Sequence, residues 1–488
     1  MGLAARTSLL ALAVLAAATA SCTRIRELAG HDAADDPSRL APSAEAVGLA
    51  AFPGAEGFGA AARGGRGGPA CRVKTLAHAG PGSLQACLDA SGPRIVVFDV
   101  SGVIVGPVEV KHGQLTIAGQ TAPGGITVKG GLVCDNVYDP NDCNDLIVRH
   151  VRFRGGAPDS LRLGGAHDVI VDHCSMAAAE DENLELTRSR NVTVQHSILA
   201  EPTGDHYQWG GLLINYSKDV LPLDRITIHH TVWNGVAGRL PEISCEENGD
   251  GPGKSNCGGH VLNIELANNV LWDASDPIWF NHCTGNNEGN DCPTATRTFA
   301  LSLNLVGNVM ARRAGADPDA PLVEPAVYTH HGGSVHSADN LLLRGSAATP
   351  ANGTGRSAPR HAFPAVSYTP ASAVVALLAR TAGPWPRDRM DERLASYLVK
   401  PIDARPVAWR NGRGVDAGDS VTPTAPSPAL PLDSDSDGDG MPDAWETSHG
   451  LDPRSADAGA LGRAKGCNAG YAALECYVNE LAEARVPR

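Results

Sequence analysis

A recurring strand pattern constrains this chain more than any other feature. The pattern runs DLIVRHVRF from Asp145, DVIVDHCSM from Asp168, NVTVQHSIL from Asn191 and RITIHHTVW from Arg225. The first three copies begin 23 residues apart, and the fourth follows after an 11-residue insertion. Each copy has a polar starter, a β-branched strand and a turn. A unit this short cannot bury its apolar side alone, so the period predicts successive copies stacked as a parallel solenoid. Later strands (IELANNVLW from Ile264, LSLNLVGNVM from Leu301, ADNLLLRG from Ala338) repeat an Asn near a turn, where its amide can satisfy backbone groups coil after coil. The 55 Gly and 34 Pro, against seven Trp and seven Phe, favour many turns over helical packing.

Carboxylates interrupt this strand-rich region. From Pro158, PDSLRLGGAHDVIVDHCSMAAAEDENLEL sets Asp159 and Asp172 ahead of Glu180, Asp181, Glu182 and Glu185. Carboxylates on neighbouring rigid strands repel one another unless a cation or protons stand between them, and hard oxygen ligands in that number suit Ca²⁺. The competing reading is a solvated acidic face. A second acidic motif, DSDGDGMPDAWE from Asp435, matches the EF-hand loop pattern. In that pattern Asp435, Asp437 and Asp439 are ligands, Gly440 makes the sharp turn and Met441 offers its carbonyl. Asp443 acts through water and Glu446 is bidentate. Histidines His229, His230, His330, His331 and His336 raise the question of zinc, but stacking within repeat strands is the simpler reading.

The net charge of −14 argues against nucleic acid as a partner. A basic Arg6 followed by the short apolar run Leu9–Ala18 reads as an export signal over residues 1–21. Ala18-Thr19-Ala20 suits ordinary signal cleavage, whereas Thr19-Ala20-Ser21-Cys22 resembles a bacterial lipobox that would anchor Cys22 to a membrane. Ten of the other cysteines fall into close pairs: 71/87, 134/143, 245/257, 283/292 and 467/476. This usage fits an oxidising compartment. Cys174 is left over and reads as a buried structural thiol.

Several motifs together resemble the pectate lyase family, whose members fold as a parallel β-helix and cleave polygalacturonate. They are VIVDH from Val169, DSLRL from Asp159 and GRLPEIS from Gly238. The upstream segments AFPGAEGFGAAARGGRGG, GPGSLQACLDASGPRIVVFDVSG and LTIAGQTAPGGITVKG resemble the opening of the family's bacterial branch. The resemblance spans roughly residues 51–345 and implies a right-handed parallel β-helix, all-β, with Ca²⁺ as cofactor. It makes Arg239 the catalytic arginine and Asp159 a calcium ligand. Asp181 and Glu185 reproduce the family's pair of acids four residues apart, with Glu182 as competitor. Asp172 and His173 take structural parts. Arginine keeps its proton in nearly all protein settings, so the chemistry is expected to favour alkaline pH. Two departures stand out: Ser244 occupies the position of a second family arginine, and the substrate-binding lysine is missing. His206 and Gln208 occupy the lysine's neighbourhood and, with Lys218, are the substrate-binding candidates.

The expected organisation follows. Residues 1–21 form the signal, 22–48 a tether and 49–345 the β-helix. Residues 346–421 form a helical or irregular extension, with SAVVALLARTAG and RDRMDERLASYLV as helices docking on the solenoid's end. Residues 422–432 form a Pro-rich linker, and 433–488 a small helical, EF-hand-like calcium module with a structural part. The expected activity is an exported, monomeric, calcium-dependent lyase acting on polygalacturonate or a related acidic polysaccharide. The alternatives are a surface polysaccharide-binding β-helix impaired in catalysis, or a lyase for another uronate polymer.

Overall fold

The computed structural model describes residues 48–487 except 137–138, 140, 157, 204–209, 217–222, 237, 247–260, 275–277, 282–299, 314–333, 345–346, 352–357 and 405–433. The export signal, Cys22, the linker, His206, Gln208, Lys218, His330, His331, Cys257, Cys283 and Cys292 lie outside the described residues.

Each repeat unit contributes one strand to each of three sheets. His167–Asp172 enters the first sheet, Ser175–Ala177 the third and Leu184–Thr187 the second, and then Arg190–Gln195 returns to the first. The described strands build sheets of ten, seven and ten in this way, and the order within each sheet follows the chain. All neighbours pair in parallel except the final Ala347–Pro350, which runs antiparallel to Leu341–Arg344. The fold is a parallel β-helix, as the 23-residue period predicts. The register is explicit: Leu146 pairs with Val169, Val169 with Val192 and Val192 with Ile226.

Alternation along each strand decides what faces inward. Val169 and Val171, Met176, and Leu184 and Leu186 point into one continuous apolar core that runs the length of the solenoid. At the turns after four successive first-sheet strands, His150, His173, His196 and His230 adopt φ values of 48–55°. Their rings stack at centroid distances of 5.1, 4.9 and 5.0 Å. Further along, Asn269, Asn308 and Asn340 form a buried ladder. Asn308 Oδ1 accepts from Asn269 N, and Asn340 Oδ1 from Asn308 N, each at 2.9 Å.

The outer faces are covered as well. Residues 50–66 run as a strap across the first sheet. There Gly59 N donates to Thr193 Oγ1 at 2.8 Å, Phe58 N to Thr227 Oγ1 at 3.1 Å and Gly65 N to Thr116 Oγ1 at 3.0 Å. A Cβ on Gly59 would overlap the carbonyl oxygen of Val169, so this crossing requires glycine. Helix α1 (Leu84–Asp89), capped by Ser83, carries Cys87, which bonds to Cys71. Cys134–Cys143 and Cys467–Cys476 are also bonded, and Cys174 is a buried free thiol.

Helices α2 (Ala371–Thr381) and α3 (Arg389–Tyr397) do not dock on the solenoid's end, as their position in sequence predicts. They lie along the outer face of the third sheet, where Val374, Leu378, Met390 and Leu394 pack on Ile198, Val232, Val270 and Val309. The reason is visible in the strands. The outward side chains of this sheet are apolar, and Arg152 and Arg154 among them need Asp388 and Asp391 of the α3 segment as counterions. Residues 434–487, with α4 (Asp443–Ser448) and α5 (Ala473–Arg485), pack on the first strands. Met441 and Leu474 meet Ile95, Val97 and Ala118 there.

Candidate functional site

The second sheet stacks Arg162, Glu185, Leu212 and Glu242 in one row across successive coils. Just ahead of the strands, a second row is set by the same register. Asp159 precedes Leu161 by two residues and Glu182 precedes Leu184 by two. Arg239 precedes Glu242, the register partner of Leu212, by three, as Asp159 precedes Arg162 and Glu182 precedes Glu185. Parallel backbone bonds hold these positions, with Ser160 N donating to Glu182 O at 3.0 Å and Gly211 N to Arg239 O at 2.8 Å. Arg239 sits at φ 54°, in the left-handed region.

Asp159, Glu182 and Glu185 each present an oxygen within 4.8 Å of the other two, and all three are buried. Glu182 N donates to Asp159 Oδ1 at 3.0 Å. Asp159 Oδ2 is buried with no hydrogen-bond donor among the described residues, and Arg162 Nη1 stands 3.9 Å away. Burial pushes the Asp159 carboxyl up to about 6. Burial, with the Asp159 charge added, pushes Glu185 up to about 8. Arg239 pairs with Glu182 and, through Nε, with Glu242 at 2.8 Å. Arg162 reaches Asp135 at 3.5 Å and Glu185 at 3.6 Å. Among the described residues, five carboxylates therefore face two guanidiniums. That surplus, the unsatisfied Asp159 oxygen and the all-oxygen donor set fit a divalent hard cation.

Of the residues singled out in the sequence, the structure brings Asp159, Glu182, Glu185 and Arg239 together. Asp181 is half-buried and stands outside the carboxylate trio. The coil register explains this, because Glu182 is the residue that repeats the Asp159 position. Ser244 lies in strand Glu242–Glu246. Arg162, Asp135 and Glu242 were not anticipated. Arg162 and Glu242 do lie inside the motifs DSLRL and GRLPEIS, so their proximity to the other motif residues was available as a signal.

Asp172 and His173 lie elsewhere, on the first sheet and its turn. Asp172 takes 2.8 Å bonds from Arg149 Nε and His173 Nδ1. Burial opposes its ionisation, yet His173 and Arg149 hold its carboxyl well below the usual range. Burial keeps His150, His196 and His229 well below the ordinary histidine value and lowers His230 to about 4. A cavity of about 730 Å³ lies between this turn and α5, lined by Phe52, Arg149, His173, Gln195, Tyr471 and Asn479. It does not include the acidic trio.

The C-terminal acidic loop forms two overlapping trios. Asp435, Asp437 and Asp439 converge within 4.8 Å, and so do Asp439, Glu446 and Asp457. Burial and the neighbouring acids push Glu446 up to about 8 and Asp439 up to about 6. Met441 N donates to Asp439 Oδ1 at 3.1 Å, and the Met441 side chain is buried in the interface. Asp443 stands in neither trio. Its carboxylate accepts from Ser434 and Ser436 at 2.7–2.8 Å and opens α4. Asp457, eleven residues beyond Glu446, belongs to no motif and was not anticipated.

No family model matches the chain. A probable pectate lyase C of Aspergillus flavus is 50% identical over 110 residues, 22% of this chain and 25% of the relative. A probable pectate lyase C of Aspergillus fumigatus is 48% identical over 120 residues, 24% of this chain and 27% of the relative. The chain thus spans about a quarter of the length of the curated relatives it matches. Among solved structures, it is similar to the major allergen from cedar pollen (16% identity, TM-score 0.45, 67% of this chain and 92% of that one). It is also similar to a pectate lyase from Bacillus sp. N165 in complex with trigalacturonate (14% identity, TM-score 0.43, 67% of this chain and 98% of that one). In sequence, the chain resembles pectate lyases over the stretch it shares with these fungal proteins.

Proposed function

We propose that this protein is an exported, calcium-dependent pectate lyase that cleaves polygalacturonate by β-elimination. The observation that carries the reading is the buried trio Asp159, Glu182 and Glu185 with Arg239 paired at its edge. Stretches of half-identical sequence in probable pectate lyases support it.

In this reading Asp159, Glu182 and Glu185 hold the cation. When bound, calcium supplies positive charge beside the substrate carboxylate and so makes the adjacent C5 proton more acidic. Arg239 is paired with two carboxylates, an arrangement that favours the protonated guanidinium. It therefore acts as a fixed positive charge for the enolate-like dianion, and hydroxide takes the C5 proton to give water. The C5–H electron pair forms the C4–C5 double bond. The C4–O bond breaks, and the departing sugar oxygen is protonated by water. The 13% exposure of the Arg239 side chain and 21% of Arg162 leave guanidiniums at the surface of an otherwise buried acidic cluster, where an anionic chain can meet them.

The test is ultraviolet absorbance of the unsaturated product when the purified protein meets polygalacturonate, with calcium and with chelator. A calcium-dependent signal that disappears in Arg239→Ala supports the lyase. Polymer binding without any signal between pH 6 and pH 11 would move the assignment to a binding protein, in keeping with Ser244 at the second arginine's position.

A further inference from the structure

We propose that Asp457 is a fifth carboxylate ligand of a calcium site shared with Asp435, Asp437, Asp439 and Glu446. We further propose that cation binding there fastens residues 434–487 onto the first strands of the solenoid. The inference is independent of the lyase reading.

The acids alone do not carry it. Glu446 is fully buried, yet both of its carboxylate oxygens lack a hydrogen-bond partner among the described residues. Asp437 Oδ2 and Asp457 Oδ1 are buried and unpartnered in the same way. Leaving several such oxygens unsatisfied is costly, and a cation drawn in where the two trios meet at Asp439 would satisfy them. Asp457 is also tied to the loop through its backbone, since Asp457 N donates to Asp439 Oδ2 at 3.0 Å. A twelve-residue loop thereby gains a side chain from the segment after α4. The donor set is all oxygen and rich in carboxylates, which suits Ca²⁺ over the more strictly octahedral Mg²⁺.

The second half follows from what presses on the loop. Arg72, on strand Ala70–Val73, pairs with Asp435 and also with Asp99 at 2.9 Å. Gly440, at φ 94°, turns the loop so tightly against this strand that an added Cβ would stand 2.9 Å from Ala70 Cβ. The next residue, Met441, is fully buried in a cluster with Ile95 and Val97. The residues that shape the cation loop are therefore the residues that contact the solenoid, and ordering one orders the other.

Hydrogen exchange of the full protein across a calcium titration, starting from chelator-treated material, tests both halves. Calcium is expected to slow exchange in residues 443–485 and in Arg94–Phe98 at the same midpoint. Asp457→Asn is expected to raise that midpoint about tenfold or more. Protection around Leu184–Thr187, which reports on the other acidic cluster, would keep its wild-type midpoint. An unchanged midpoint in Asp457→Asn overturns the ligand assignment. Protection of 443–485 without protection of Arg94–Phe98 overturns the fastening. Should Asp457→Asn fail to fold, terbium emission sensitised by Trp445 in the wild-type protein serves instead. Emission that calcium displaces supports the site, and absence of emission overturns it.

Discussion

Asp159 and Glu182 hold the same place on successive coils, and the backbone N–H of Glu182 donates to Asp159 Oδ1 at 3.0 Å. One carboxylate thus orients the loop that carries the next. In the lyase reading, replacing Asp159 with a side chain that cannot accept a hydrogen bond removes both a cation ligand and the bond that places Glu182. Asp159→Asn keeps the hydrogen bond but not the charge. In the lyase reading it should weaken calcium dependence of product formation about tenfold or more, with little change in thermal stability. Asp159→Ala should do the same and also lower Tm, and calcium titration beside thermal unfolding separates the two.

Arg239 neutralises Glu182 and Glu242, both buried. Arg239→Ala removes the guanidinium from both carboxylates and should cost about 3–5 kcal/mol of stability, in addition, in the lyase reading, to abolishing product formation. Urea unfolding at pH 8, compared with pH 5, gives the check. The cost should shrink at the lower pH, where unpaired carboxylates take up protons.

The raised carboxyls fix the sign of a pH effect. In the folded, cation-free chain burial pushes the Glu185 and Glu446 carboxyls up to about 8, and those of Asp159 and Asp439 up to about 6. Their unfolded values lie near 4. The folded state therefore binds more protons across roughly pH 4–8, and stability in chelator should fall as pH rises through that window. Saturating calcium should flatten the fall. A Tm in chelator that rises from pH 5 to pH 8 would contradict this assignment.

Asp391 is fully buried between Arg152 and Arg154, at 3.1 and 2.8 Å. Asp391→Ala should destabilise by about 3–5 kcal/mol and release α3 from the third sheet. Faster proteolysis within residues 389–397, with the strands still protected, is the expected signature.

The coil period was legible because stacking imposes it on every strand, and the register Leu146–Val169–Val192 follows it directly. The acidic loop at Asp435 was legible because a single short segment supplies most of its converging carboxylates. Glu182 could not be chosen over Asp181 from spacing alone, since the choice depends on which residue repeats the Asp159 position one coil on. Arg162 and Glu242 lie three residues after Asp159 and Arg239 inside the quoted motifs, but which of their neighbours face the same site is set by sheet register. Asp457 was invisible for a related reason, as the chain folds back to it from outside the motif. The placement of α2 and α3 depended on which face of the third sheet was apolar, and on buried arginines whose counterions lie more than 230 residues away.

The strap and the last helix meet over the first coils: Tyr471 Oη donates to Ala50 O at 3.1 Å, and Arg66 pairs with Glu475 at 2.9 Å. An open solenoid can fray inward from its first coil, one unit at a time. Here that coil cannot loosen until segments from both sides of the sequence let go together. The strap, bonded at Thr116, Thr193 and Thr227, extends the same restraint several coils inward. Opening the first coils therefore requires the strap and the C-terminal segment to be released as well, which links units that an unstrapped solenoid would lose one by one.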